Sequence, residues 1–138
     1  MQAKINCAEL GVLDGPLLLF GGPYSNLQAV EALAAFAAAR GIDGGQMICT
    51  GDIVAYCGAP RECVAAIRAL GCAVVAGNCE VQLASGAEDC GCGFAPGSSC
   101  DMLSGAWYAH AAGQLDAGAK DWMGRLPDVA VFRHQGQR

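Results

Sequence analysis

Three short apolar runs, each followed directly by a glycine, constrain the fold of this chain more than any other feature. Residues 17–20 run into Gly21, residues 46–50 run into Gly51, and residues 72–76 run into Gly77. Residues 17–20 are wholly apolar, which is typical of a strand buried on both faces, and the other two runs predict a second and a third strand. The glycines predict a tight loop after each strand.

Helical patterns lie between these runs. Ser25 and Gln28 have the spacing of a capping box at the start of one helix, and Gly41 stands at its end. Pro60 opens a second helix that Gly71 closes. The sequence therefore predicts an α/β fold, a mostly parallel sheet with flanking helices. The three loops should share the carboxyl edge of that sheet, where such sheets bind ligands.

The second half of the chain has a different pattern. Residues 81–99 are rich in Gly, Ser and Cys, with little periodicity, which predicts an insertion or lid. Helices are expected over residues 100–112 and 116–126, followed by a strand over residues 129–133. The length of 138 residues fits a single domain, residues 1–138.

The charge and the apolar pattern exclude several classes of partner. A net charge of −5 with 8 scattered basic residues argues against nonspecific binding to nucleic acid or to a membrane surface. No apolar run reaches the roughly 20 residues of a membrane helix, and the first residues lack the pattern of a secretory signal. The expected location is the cytoplasm.

Few residues are available for familiar catalytic motifs. The chain lacks GxGxxG, GxxxxGK[ST] and GxSxG, and its only histidines are His110 and His134. Among nine cysteines, a cluster of four could form a zinc thiolate site: Cys79, Cys90, Cys92 and Cys100. Their spacing contains CxC rather than the usual CxxC. Cys79 is alternatively a candidate reactive thiol.

The three loops together are more specific than any one of them. They read LLLFGGPYSNLQA, ICTGDIVAYCGAPRECV and VVAGNCEVQL. Their order and spacing resemble the calcineurin-like metallophosphoesterase family, in which DxHGN, GD and GNHD or GNHE each follow a strand. The resemblance covers residues 17–83, with a weaker match over residues 107–127.

The resemblance implies a pair of divalent metal ions that activate water for attack on a phosphoester. Asp52 matches the bridging carboxylate and Asn78 an amide ligand, so manganese, iron or zinc is the expected cofactor. The chain departs from the family at the DxH positions, which are Gly22 and Tyr24, and at the histidine of GNH, which is Cys79. The protein could therefore also lack a metal.

The family's later histidine motifs are missing as well. This absence leads us to expect that the domain is incomplete at its C-terminal end. In that case residues 129–132 would form an exposed strand edge that could pair with a partner, for example in a homodimer.

These observations select two groups of candidate site residues. The candidate catalytic residues are Asp52, Asn78, Cys79 and Glu80, with Asp52 and Asn78 as the metal ligands. A second group at a helix start could bind an anion through backbone N–H groups: Gly21, Gly22, Tyr24, Ser25 and Asn26. In the alternative interpretation the glycines serve only as turn residues, and Asp52 and Asn78 as loop caps.

Two functions follow from the resemblance. The first is a metal-dependent phosphoesterase, acting on a phosphomonoester or phosphodiester, with a degenerate or rearranged metal site. The second is an inactive protein of the same fold that binds an anion, zinc or a protein partner.

Overall fold

A computed structural model describes residues 4–138; residues 1–3 of the predicted domain lie outside the described part. Its elements along the chain are β1 (Cys7–Val12), β2 (Leu18–Phe20), α1 (Leu27–Ala39), a short 3-10 helix (Gly44–Gln46), β3 (Met47–Cys49), α2 (Pro60–Leu70), β4 (Ala73–Val74), α3 (Asn78–Ser85), α4 (Ser99–Gln114), α5 (Ala117–Gly124) and β5 (Val129–Arg133). None of these helices is long and apolar enough to cross a membrane.

The central sheet confirms the predicted topology. Strands β2, β3 and β4 lie side by side in that order, and both neighbouring pairs are parallel. All of β3 is buried. The prediction that residues 17–20 form a strand buried on both faces is wrong, because Leu19 is 55% exposed. Leu18 and Phe20, on the opposite face from Leu19, are half-buried, so only one face of β2 packs against the core.

A second sheet was not predicted. Strand β1 pairs with β5 in parallel, from Cys7 opposite Val129 to Val12 opposite Arg133. One edge of residues 129–132 is therefore paired within the chain, by β1. Strand β1 was not recognised from the sequence because residues 7–12, CAELGV, include Ala, Glu and Gly, which are depleted in strands.

The helix boundaries follow local chemistry. The cap of α1 is Asn26, whose side chain accepts a hydrogen bond from the Ala29 N–H at 3.1 Å, so the predicted capping box at Ser25 is wrong. Helix α2 begins at Pro60 and ends at Leu70, with Gly71 as its C-cap, as predicted. The second half of helix α3 occupies the start of the predicted lid. Within the predicted lid, residues 81–99, only residues 86–98 lack helix and strand.

The core lies between the central sheet and the helices. It includes β3 and one buried face of each of four helices, with Ile67 on α2, Leu83 on α3, Trp107 on α4 and Met123 on α5. Each Å² of apolar surface that these side chains remove from water stabilises the fold by roughly 25 cal/mol, and this packing holds the short strands in register. The loops after the strands thereby gain a rigid base.

Candidate active site

The loops after β2, β3 and β4 meet at one edge of the sheet, as predicted. The Gly22 N–H donates to the Gly51 carbonyl at 3.1 Å, and the Tyr24 N–H donates to the Asp52 carbonyl at 3.1 Å. We call this surface the rim and define it as residues 21–26, 51–55 and 77–80. The rim is a continuous backbone surface at the carboxyl ends of three parallel strands.

Gly51 permits the closest approach between two of these loops. Its φ is +98°, and a Cβ at this position would lie 2.8 Å from both the Gly77 Cα and the Val75 carbonyl oxygen. Such a separation is shorter than any normal contact to a backbone atom. Position 51 must therefore be glycine for the second and third loops to touch.

The Asp52 carboxylate lies between these two loops. It is half-buried, and its Oδ1 accepts a long hydrogen bond from the Cys79 N–H at 3.5 Å. The neighbouring Asn78 is exposed, and its Nδ2 donates to the Cys90 carbonyl at 2.9 Å. The structure thus brings the two predicted metal ligands, Asp52 and Asn78, to the same part of the rim.

Glu80 has a different place from the one that the sequence predicted. It is fully buried, with Oε1 accepting from the Ile53 N–H and Oε2 from the Asp52 N–H, both at 2.8 Å. Oε2 also accepts from the Gly77 N–H at 2.9 Å. Burial raises the pKa of Glu80, while these N–H groups act to lower it. Both oxygens of Glu80 accept hydrogen bonds from the backbone of the second and third loops, so this side chain positions the loops and does not face a ligand.

Cys79 is also inaccessible. Its side chain is 3% exposed, and burial, followed by the charges of Asp52 and Glu80, raises its pKa to about 12. A thiol with this pKa stays protonated at neutral pH. The geometry gives no support to the hypothesis of a reactive thiol at position 79.

The first loop is closed by its own side chains. The Ser25 hydroxyl is buried and accepts from the Ala55 N–H at 3.2 Å, and the Asn26 side chain caps α1. A Cβ at Gly22 would lie 2.5 Å from the Tyr24 Cζ. The Tyr24 ring therefore occupies the space where a carboxylate at position 22 would begin. Gly21 packs against the Thr50 side chain.

The predicted thiolate site is not assembled. Cys90 and Cys92 share a disulfide, Cys79 is buried and Cys100 is exposed. In residues 4–138, no group of three or more His, Cys, Asp or Glu side chains is arranged to hold a metal ion. A disulfide sulfur is not a thiolate, so the CxC pair cannot act as two zinc ligands in this state.

A row of aromatic rings that was not predicted from the sequence lies beside the rim. Tyr24 and Tyr56 have ring centroids 5.1 Å apart, and Tyr56 and Trp107 have centroids 5.4 Å apart, both edge to face. We call these three residues the aromatic row. The only signal in the sequence was the tyrosine four residues after Asp52, and nothing local connects it with a tryptophan on α4.

The residues present do not fit the two-metal centre that the resemblance implies. Position 22 has no side chain, position 24 has a phenol, and the thiol at position 79 is buried and protonated. The remaining oxygen donors, Asp52 and Asn78, are the kind that suits one hard cation, which completes its shell with water and phosphate oxygens.

Comparisons with known sequences match part of the chain. No protein-family model matches the chain. A curated relative from Methanocaldococcus jannaschii, the uncharacterized protein MJ0912, is 46% identical over 55 residues, or 40% of this chain and 22% of that protein. Because only 22% of that protein is matched, the match by itself assigns no activity.

Two solved structures are similar over most of the chain. A metallophosphoesterase from Sphaerobacter thermophilus has a TM-score of 0.58 and 25% identity, covering 82% of this chain and 42% of that one. A candidate diadenosine tetraphosphatase has a TM-score of 0.64 and 18% identity, covering 94% of this chain and 50% of that one. The chain has a calcineurin-like α/β fold and spans half or less of the length of these proteins.

Proposed function

We propose that this chain is a phosphoesterase-like domain that binds a phosphomonoester or phosphodiester at the rim with the help of one divalent cation. The cation would be held by Asp52 and Asn78. The observation that carries the proposal is the position of the Asp52 carboxylate on a rim whose residues include no Lys or Arg. The negative charge of Asp52 repels a phosphate group, and a divalent cation between the two would convert this repulsion into attraction.

Glu80 and Asn78 have separate roles at this site. Glu80 fixes the backbone of the second and third loops, which sets the position of Asp52. The hydrogen bond from Asn78 Nδ2 to the Cys90 carbonyl leaves the Asn78 carbonyl oxygen directed away from that contact. A divalent ion bound there would supply Lewis acidity toward a phosphoryl oxygen. Manganese, iron and zinc are the candidates.

A second candidate function is binding without hydrolysis. It is favoured by the absence of histidine from the rim, since no imidazole is there to donate a proton to a leaving group. The Tyr24 ring fills the space beside Gly22, and the thiol of Cys79 is neutral and buried. A silent domain of this kind would bind the same phosphate-bearing ligand.

Metal binding and turnover separate these candidates. We expect equilibrium dialysis against Mn²⁺ to show about one bound ion per chain, and Asp52→Asn to weaken its binding by at least tenfold, since one carboxylate is lost at a site with few ligands. Asp121→Asn, at an exposed position on α5, is the matched control. Turnover of an aryl phosphate that depends on Asp52 supports the hydrolase, and metal-dependent binding without turnover supports the silent domain. Equal Mn²⁺ binding by wild type and Asp52→Asn would contradict both.

A further inference from the structure

The disulfide between Cys90 and Cys92 has no role in the function proposed so far. It lies within residues 86–98, which lack helix and strand, and only Gly91 separates the two cysteines. A bridge that encloses so few residues removes little freedom from the unfolded chain, because the stabilisation grows with the length of the closed loop. Stability of the fold is therefore a poor explanation for this bond, and a chemical role explains it better.

The two cysteines differ in their access to solvent. Cys90 is 3% exposed, whereas Cys92 is half-buried. A cavity of about 270 Å³ lies beside the pair, lined by residues 89–94 and by Asp101 and Ser104 of α4. Thiol–disulfide exchange begins when a thiolate reaches one sulfur of the bond, so access decides which sulfur is attacked. In this pair Cys92 is the sulfur that a thiolate can reach, and Cys90 is the sulfur that leaves.

Asn78 joins the disulfide to the rim. Its Nδ2 donates to the Cys90 carbonyl at 2.9 Å and lies 3.6 Å from the Cys92 Sγ, within hydrogen-bond distance for sulfur. The same amide group thus contacts both residues of the bridge. The orientation of the Asn78 side chain depends on the position of this turn.

The ends of residues 86–98 are attached to α4 independently of the disulfide. The Tyr108 hydroxyl donates to the Ala87 carbonyl at 2.9 Å, and the Gly97 N–H donates to the Asp101 carboxylate at 2.8 Å. Both attachments remain when the S–S bond is broken. Opening of the bond therefore releases the turn around Gly91 while the core stays packed.

We infer that Cys90 and Cys92 form a thiol–disulfide exchange site whose co-reactant is a small dithiol, and that the oxidised pair holds Asn78 in the orientation that binds the cation. The second half of this inference rests on the proposed function, because it assigns a means of regulation to the same cation site. The oxidised chain binds the cation, and the reduced chain binds it more weakly.

The exchange proceeds in two balanced steps. A thiolate of the dithiol attacks the Cys92 Sγ, a mixed disulfide forms there, and the electron pair of the broken bond passes to the Cys90 Sγ, which takes up a proton. The second thiolate of the dithiol then attacks its own sulfur in the mixed disulfide and releases Cys92, which is also protonated. The pair gains two electrons and two protons, and the dithiol loses both and becomes a disulfide.

The first test asks which cysteine reacts. The exposed free cysteines Cys7, Cys57 and Cys100 are replaced by serine, and Cys90→Ser or Cys92→Ser is added to this background. Each variant is mixed with an aromatic disulfide, and the released thiolate is followed by absorbance. We expect Cys92 in the Cys90→Ser variant to react at least about tenfold faster than Cys90 in the Cys92→Ser variant, since access differs.

The same background with both Cys90 and Cys92 intact shows whether exchange needs unfolding. Reduction by dithiothreitol should be proportional to its concentration and nearly the same with and without about 1 M urea, because an unfolding-limited rate rises steeply with urea. Trapping with iodoacetamide and mass spectrometry measures this rate. A rate that rises steeply with urea, or equal reactivity of Cys90 and Cys92, overturns the exchange site.

The second test measures the connection to the cation site. After removal of the reductant, equilibrium dialysis should show that the reduced chain binds Mn²⁺ at least about fivefold more weakly than the oxidised chain. The double variant Cys90→Ser, Cys92→Ser should behave as the reduced chain in either buffer. Asn78→Ala should bind weakly with no difference between redox states, whereas Cys100→Ser should keep the difference. Equal Mn²⁺ affinity of the oxidised and reduced chains overturns the regulation.

A readout that needs no metal separates this inference from the proposed function. The side-chain amide signal of Asn78 in an NMR spectrum is identified by its loss in Asn78→Asp, and we expect reduction of the pair to shift it. An unchanged signal overturns the connection between the disulfide and Asn78. A shifted signal in a chain that binds no Mn²⁺ in either state supports the connection and refutes the proposed function of the rim.

Discussion

Single residues decide how closely the loops of the rim can approach. At Gly51 the backbone of the third loop leaves no space for a side chain, and the φ of +98° is unfavourable for any residue with a Cβ. Both effects act on the same atom and cannot be relieved by a side-chain rotation, because the neighbouring atoms belong to the backbone.

We therefore expect Gly51→Ala to lower the free energy of unfolding by about 3 kcal/mol or more. The matched control is Gly113→Ala on α4, where a Cβ would meet no atom within 4 Å. This control should leave stability unchanged or raise it by up to about 1 kcal/mol, because alanine favours a helix. Urea denaturation measures both variants. Similar stability of Gly51→Ala and Gly113→Ala would contradict the close approach.

At the scale of elements, Glu80 ties the start of α3 to the loop after β3. Its two oxygens accept hydrogen bonds from the backbone of residues 52, 53 and 77, and a longer one, at 3.4 Å, from the Val54 N–H. Strand β4 has only two residues and cannot by itself orient the helix that follows it. The carboxylate supplies this missing connection.

Glu80→Gln tests the connection. The amide would keep one acceptor oxygen but place an NH₂ group against two backbone N–H donors, so we expect a loss of about 2–4 kcal/mol in the free energy of unfolding. The exposed Glu88→Gln is a control with the same chemical change and should stay within about 0.5 kcal/mol of wild type. A loss of less than 1 kcal/mol in Glu80→Gln would argue that the loops are held by other contacts.

At the scale of the whole molecule, the core contains ionisable thiols. Burial is the main cause that raises the pKa of Cys49 and Cys79 to about 12 and that of Cys63 to about 11, from an ordinary value of 9.0. Below pH 9 the thiols are protonated in both the folded and the unfolded chain. Above it the unfolded chain loses these protons first, so the contribution to stability falls as pH rises toward 11–12.

We expect the free energy of unfolding, measured in reducing buffer, to fall between pH 9 and pH 11, by up to about 1.4 kcal/mol per pH unit for each thiol. Cys63→Ala should make the fall less steep, because it removes one of the thiols whose pKa is raised by burial. Cys100→Ser should not change the steepness, since Cys100 is exposed. A stability that stays constant up to pH 11 would show that the thiols are accessible to water in the folded chain.

The predictability of the fold and of the site differed between local and distant features. The parallel order of β2, β3 and β4 and the meeting of Gly22, Asp52 and Asn78 were predictable, because apolar runs, glycines and helix signals are all local. Strand β1 was not predictable, because its pairing with β5 joins residues more than 120 positions apart. The aromatic row was missed for the same reason.

The α/β class, the central parallel sheet and the glycine loops at its edge follow from the sequence, since they depend on the periodicity and conformational preference of neighbouring residues. The role of each polar side chain at that edge depends on packing between elements that are distant in the sequence. Cys79 and Glu80 directly follow Asn78 in the sequence, yet packing turns both inward and leaves Asp52 half-exposed. The direction of a side chain depends on contacts with distant elements, which no local pattern contains.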